Sequence, residues 1–181
     1  MNNPDKKVSK FLSFILRHKP ETIGLTLDEN GWASVPELLQ KLEASGSHMT
    51  LAKLQEIVTS NDKQRFIFSE DFSHIRANQG HSIHIDLQLE PLQPPAILYH
   101  GTARKNLDSI FEKGLMKQER HHVHLSDNTH TAKSVGSRYG FPVVLSIDAH
   151  KMYQDGFVFY RTNNNVWLTD HVPSQYLSNH A

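Results

Sequence analysis

Residues 65–77 read RFIFSEDFSHIRA, two short runs that alternate apolar and polar residues around a polar turn. Arg65-Phe66-Ile67-Phe68 and His74-Ile75-Arg76-Ala77 share the period of two that a strand imposes, so the stretch reads as a β-hairpin. Upstream the period is helical. Val8, Phe11, Leu12 and Ile15 predict an amphipathic helix over about residues 6–18, which Pro20 helps to stop. Asp28-Glu29-Asn30-Gly31 is a turn signal, with Trp32 behind it as an expected core anchor. Ser34 and Glu37 form a capping box for a helix over Val35–Leu42. Thr50 caps a third helix whose Leu51, Leu54 and Val58 should share a face. Three helices followed by a hairpin is the element order of a winged helix, which by itself says little about function.

Downstream, Glu90-Pro91-Leu92-Gln93-Pro94-Pro95 is the Pro-dense segment and the natural boundary. It divides the chain into residues 1–90, a linker at 91–95, and residues 96–181. In the last part Ala96–Tyr99, Val123–Leu125, Val143–Ile147, Phe157–Tyr160 and Val166–Leu168 read as strands. Asn106–Lys113 reads as a helix ended by Gly114, and one or two helices are expected in all. The class is α+β.

Composition narrows the function. The 181 residues are 38% apolar and 21% charged, a globular balance, with no apolar run near the ~20 residues that span a bilayer. With no cysteine, disulfides, Cys-ligated zinc and Cys nucleophiles are excluded, and a reducing, cytoplasmic setting is expected. Nineteen basic residues balance nineteen acidic ones. Any nucleic-acid contact should therefore be a local pocket rather than a long basic track. P-loop, Rossmann and nucleophile-elbow motifs are absent.

The local motifs are individually modest. Arg17-His18 ends the first helix, where cations also simply favour the helix dipole. Arg76-Ala77-Asn78-Gln79-Gly80-His81-Ser82 packs donors suited to an anion around a glycine, although a polar turn would look similar. Tyr99-His100-Gly101-Thr102 stands where a strand is expected to exit toward a helix. His121-His122-Val123-His124-Leu125-Ser126 is a histidine-dense strand with no third ligand at metal spacing, so no metal is expected.

Together these segments closely resemble the RNA 2′-phosphotransferase family, NAD-dependent enzymes known from tRNA splicing. The likeness runs from Ser9-Lys10-Phe11-Leu12-Ser13 through Leu16-Arg17-His18, Gly24-Leu25 and Gly31-Trp32. It continues in Arg65-Phe66, Ile75 to Ser82 and Tyr99 to Thr102, and closes with Gly114-Leu115, Arg120, His122 to Ser126 and Val166-Trp167. The resemblance implies a winged-helix-like lobe, a C-terminal lobe of the ADP-ribosyltransferase fold, and an active site between them. It implies removal of an internal RNA 2′-monophosphate in two steps, by transfer to NAD as consumed co-substrate. An ADP-ribosylated RNA intermediate precedes the products, which are 2′-hydroxyl RNA, ADP-ribose 1″,2″-cyclic phosphate and nicotinamide. The family's catalytic Arg-His-Arg-Arg quartet maps to Arg17, His18, Arg65 and Arg120. The NAD-binding positions map to His100, Gly101, Thr102, His124, Ser126 and Val166, and the substrate-binding segment to Arg76, Gln79, His81 and Ser82.

Arginine forks and an imidazole suit a phosphate dianion. Val166 occupies a place where many protein-modifying relatives carry glutamate, and Asp170 is the nearest acid in sequence. The alternatives are an ADP-ribosyltransferase acting on a protein, a base or another nucleic-acid phosphate, and a non-catalytic nucleic-acid binder. A monomer without an obligate protein partner or membrane association is expected.

Overall fold

A computed structural model of the chain describes residues 3–61 and 63–180. It divides into two compact units, Met1–Gln88 and Leu89–Ala181. Among the described residues there are six α-helices, and every paired strand is antiparallel, an α+β architecture. No helix among them is long and apolar enough to cross a membrane.

The first unit runs α1 (Asn3–Arg17), β1 (Ala33–Ser34), α2 (Val35–Ala44), α3 (Leu51–Thr59), β2 (Phe66–Phe68) and β3 (His74–Ala77). A single 3-10 turn, Pro20–Ile23, follows α1 and closes on Gly24 in the left-handed region. The hairpin is as read from its period, with Phe66 opposite Ala77 and Phe68 opposite Ile75. Its β3 also pairs with β1, giving sheet order β1-β3-β2. Leu12, Ile15 and Leu16 of α1, Leu38 and Leu42 of α2, Leu54 and Ile57 of α3 and Ile75 of β3 form the core.

Three expectations change in this unit. Trp32 is half-buried and lies outside that core; its ring is covered by the Arg76 guanidinium at 4.5 Å. Leu51 is exposed, because α3 turns Leu54, Ile57 and Val58 inward instead. The capping box is half formed. Ser34 Oγ accepts from the Glu37 N–H at 3.4 Å, but the Glu37 carboxylate accepts from Thr26 N at 3.2 Å.

The second unit contains β4 (Ile97–Ala103), α4 (Leu107–Lys113), β5 (Leu115–Met116), β6 (Val123–Leu125), α5 (Thr129–Gly136) and β7 (Pro142–Asp148). It continues with α6 (Ala149–Gln154), β8 (Tyr160–Arg161), β9 (Trp167–Thr169), β10 (His171–Val172) and β11 (Leu177–Asn179). Three sheets result, ordered β11-β7-β4, β6-β9-β8 and β10-β5. Leu98, Leu145, Ile147, Met152, Phe159 and Trp167 sit in one core, and Trp167 also has the Arg161 guanidinium 5.8 Å from its ring.

The sequence reading is corrected here too. Three helices form rather than one or two. Phe157–Phe159 run as extended chain without a ladder, Val166 precedes β9, and β4 continues four residues past Tyr99. Within the Pro-dense segment, Pro91 bridges Tyr160 and Leu92 N–H bonds to Phe159 O at 2.8 Å, so this stretch is tied to the second unit.

The extension of β4 depends on two glycines. A Cβ on Gly101 would lie 1.6 Å from the Ala132 carbonyl oxygen, and one on Gly136 would lie 2.7 Å from the Thr102 oxygen. Helix α5 therefore rests directly on the β4 backbone, an approach that any side chain would block. Gly101→Ala is expected to lower stability by about 3 kcal/mol, the upper end of ordinary overpacking, because the clash is with backbone. Urea unfolding of the variant beside the parent chain measures it.

Candidate active site

In the first unit the end of α1 and the start of β2 are held by one segment. Asn78 N–H donates to the Arg65 carbonyl at 2.9 Å, and Ser82 N–H donates to the Arg17 carbonyl at 3.0 Å. Gly80, at φ +86°, makes the turn between these two anchors. The Ser82 hydroxyl then bonds the His18 ring at Nδ1, 2.9 Å away. Arg17, His18, Arg65 and the 76–82 segment are thus joined by short hydrogen bonds.

Two of the arginines there donate to uncharged oxygens. Arg65 Nη1 donates to Asn61 Oδ1 at 3.0 Å, and Arg76 Nη1 donates to the Asn30 carbonyl at 3.3 Å. Arg76 also lies over Trp32, a cation–π contact. Burial pulls the Arg76 guanidinium below its ordinary value, with Asp28 opposing. Arg76 Nε and Gln79 Oε1 are buried with no hydrogen-bond partner, the kind of polar atom a bound ligand would satisfy. His81 is enclosed, 2% exposed; a Cβ on Gly31, which has φ +80°, would come within 3.5 Å of its Nε2.

In the second unit, Tyr99 and Ser126 exchange both backbone hydrogen bonds at 2.8 Å, which brings β4 beside the end of β6. His100 Nδ1 lies 3.1 Å from the His124 carbonyl. A carbonyl only accepts, so Nδ1 carries the proton and Nε2 of the neutral ring is an acceptor. Arg120 Nη1 lies 3.2 Å from His124 Nδ1. A guanidinium only donates, so that ring nitrogen is the acceptor and the neutral ring carries its proton on Nε2. Arg120 itself is exposed. The two histidines therefore present opposite hydrogen-bonding character at Nε2, an acceptor on His100 and a donor on His124.

The remaining residues singled out in this unit have structural partners. Gly101 and Thr102 are buried against α5, and the Thr102 hydroxyl accepts from Asn106 Nδ2 at 3.3 Å. Ser126 Oγ accepts from Asn128 N–H at 3.2 Å, and Val166 closes a turn through Thr162. Asp170 is exposed and paired with Lys117 at 2.6 Å. That contact holds its carboxyl below the usual range. His122 packs edge-on against Tyr160, and burial holds its ring below the ordinary imidazole value. Among the described residues no cluster of three or more His, Asp or Glu could hold a metal ion.

Sequence reasoning missed Asn61, Asn30 and the exposed side of Trp32. Asn61 lies in no motif or periodic run, and Asn30 and Trp32 were read only as a turn and a core anchor, so the folded contacts alone reveal these roles.

Burial holds the His100 ring below the ordinary imidazole value; its bond to His124 opposes this, and the Arg120 charge adds to it. The folded state then binds the proton less tightly than the unfolded chain. Acidification from the unfolded imidazole range downward therefore costs stability until the folded ring also protonates. Nitrogen-15 spectra across a pH titration are expected to show His100 as the Nδ1–H tautomer with a depressed midpoint. An ordinary midpoint would contradict the enclosed, carbonyl-bound ring.

Residues 3–171 match the model of the RNA 2'-phosphotransferase, Tpt1 / KptA family. A probable RNA 2'-phosphotransferase of Acaryochloris marina is 54% identical over 176 residues, covering 97% of each chain. Proteins of the same name from Flavobacterium johnsoniae and Hahella chejuensis are 51% and 52% identical. The first covers 97% of this chain and 96% of its own length, the second 98% and 96%. With the family model matched over residues 3–171 and relatives more than half identical across nearly the whole chain, the chain belongs to the RNA 2′-phosphotransferase family.

Proposed function

We propose that this enzyme removes an internal 2′-monophosphate from RNA by passing it to NAD. The observation that carries the reading is the form of the hydrogen bonds around its cations. The contacts described for Arg76 and Arg120 go to a carbonyl and an imidazole. Neutral acceptors orient a guanidinium without cancelling its charge, which leaves that charge for a phosphate dianion. The element order of the first unit supports a winged-helix-like lobe that reads the marked RNA. The small antiparallel sheets of the second support an ADP-ribosyltransferase-like lobe that holds NAD.

The donor set fits NAD. An acceptor at His100 Nε2 and a donor at His124 Nε2 suit the hydroxyls of a ribose, which both give and accept hydrogen bonds. When bound, NAD supplies an anomeric carbon for the 2′-phosphate to attack with loss of nicotinamide, and a 2″-hydroxyl that then takes the phosphate as a 1″,2″-cyclic ester. The guanidinium forks of Arg17, Arg65 and Arg120 would each suit phosphate oxygens, where negative charge gathers most strongly in the second attack. His18, steadied by Ser82, donates a hydrogen bond or moves a proton near neutral pH. The nucleophile of the first attack is already an anion, so no carboxylate base is needed where Val166 stands.

The deciding assay combines the protein, NAD and an oligoribonucleotide carrying one internal 2′-phosphate. Nicotinamide release that depends on the 2′-phosphate, together with 2′-hydroxyl RNA, is expected. Release without the phosphate would point to a different acceptor, and no release to a binding protein. Arg65→Ala, Arg120→Ala and His18→Ala should each slow turnover by ~10²–10³, as loss of a donor to developing charge does. Turnover is expected to survive EDTA, and loss of activity restored by zinc would overturn that.

A further inference from the structure

The two most exposed large apolar side chains among the described residues stand two positions apart in one loop of the second unit, Phe141 at 66% and Tyr139 at 54%. Neighbouring rings left in water mark a surface that binds something. The loop runs from the end of α5 into β7, and Gly136 sets its start against β4, where a Cβ would lie 2.9 Å from Thr102 N. Just past β4, the Arg104 N–H donates to the Phe141 carbonyl at 2.9 Å. The Arg104 guanidinium lies over the Phe141 ring, 4.5 Å from its centroid. With a cation on one face and most of its area exposed, the ring keeps its other face in water.

Charge says what covers it. β4 pairs with β7 along its length and α5 rests on β4, so the three form one packed block. Residues 91–107 and 128–147, which build that block, include no aspartate or glutamate, although the whole protein has nineteen. They include Arg104, Lys105, Lys133 and Arg138, all exposed. Among the described residues none of these four makes an ion pair. The nearest acid to them in sequence is Asp108, in the first turn of α4. In a chain of zero formal net charge this block is a local positive field. The end of α5 would by itself attract Lys133 and Arg138, but it calls for neither Arg104 nor the exposed rings.

Rings set among cations suit single-stranded nucleic acid, whose bases stack on the rings while its phosphates meet the charges. A duplex hides its base faces. A second copy of this chain, docked by the same face, would bring cation against cation.

We propose that the Arg104–Phe141 face, with Tyr139, Lys105 and Arg138, binds unpaired nucleotides of RNA. This rests on the reading above that RNA is the substrate, and adds that the substrate is held where it is single-stranded.

The test is equilibrium binding of the full chain, without NAD, to a labelled oligouridylate with ordinary 2′-hydroxyls and to an RNA duplex of equal length, across a salt series. The parent chain should prefer the single strand. Phe141→Leu keeps an apolar cover for Arg104 but removes the ring face. It should weaken single-strand binding at least about fivefold, the low end for one stacked base, and leave duplex binding unchanged. Phe141→Trp should bind like the parent. Lys105→Gln and Arg138→Gln should each make log K fall less steeply with log salt, by about 0.7. All three positions are exposed, so the variants should unfold at the parent's temperature. Equal binding of strand and duplex, or a Phe141→Leu variant that binds the strand like the parent, overturns the proposal. Displacement of the strand by NAD would give the face to the cofactor, and a parent dimer that Phe141→Leu dissociates would give it to a second copy; either overturns it too. Failure of nicotinamide release on 2′-phosphorylated RNA, with strand binding intact, would overturn the function proposed above and leave this face an RNA site.

Discussion

Two backbone hydrogen bonds, Asn78 N–H to the Arg65 carbonyl and Ser82 N–H to the Arg17 carbonyl, fix the backbone at the first unit's candidate residues. They act on the residues that carry the charge, at the last turn of α1 and the first residue before β2. Helix ends and strand entries are the places where a backbone is least constrained by its own element. Here a segment that leaves β3 returns past both and closes them. The hairpin must therefore form in register before Arg17 and Arg65 have fixed positions. In this unit the fold's most ordinary feature, a period-two hairpin, is the precondition of its chemistry.

The second unit solves a matching problem with histidines rather than arginines. The Tyr99–Ser126 bridge aligns two strands from different sheets, and the alignment sets a carbonyl against one ring and a guanidinium beside the other. Each ring nitrogen then has one role available. Such selection of tautomers costs nothing at the moment of binding, because the strands have already imposed it.

How far the sequence speaks for itself depends on whether a residue's role is periodic. Phe66, Phe68 and Ile75 alternate, and the Ser34 and Thr50 caps stand at fixed offsets from helices, so hairpin and helices could be read directly. The quartet and the histidine pair are expected through family resemblance alone, since each member is a single residue beside an element. Strand β4 was read too short because Gly101-Thr102 looks like a loop until α5, some thirty residues on, covers it. Phe157–Phe159 has a strand's pattern but gains no ladder, since its hydrogen bonds go to Leu92 and the Thr169 hydroxyl. Trp32 was expected in the core because aromatic size favours burial, yet a cation over its face keeps it near the surface. Asn61 was invisible, as its meaning lies in a contact with Arg65.

The chain's two tryptophans are divided one to each unit, and each has an arginine over its ring, Arg76 at 4.5 Å from Trp32 and Arg161 at 5.8 Å from Trp167. Indole emission responds to a nearby cation and to solvent access. The protein therefore carries an optical probe in each half. Replacing Trp167 with phenylalanine would leave Trp32 reporting on the arginine-rich segment alone, and the reciprocal change would leave the histidine-bearing half in view. The melting of the two units could then be watched separately in an otherwise unlabelled chain.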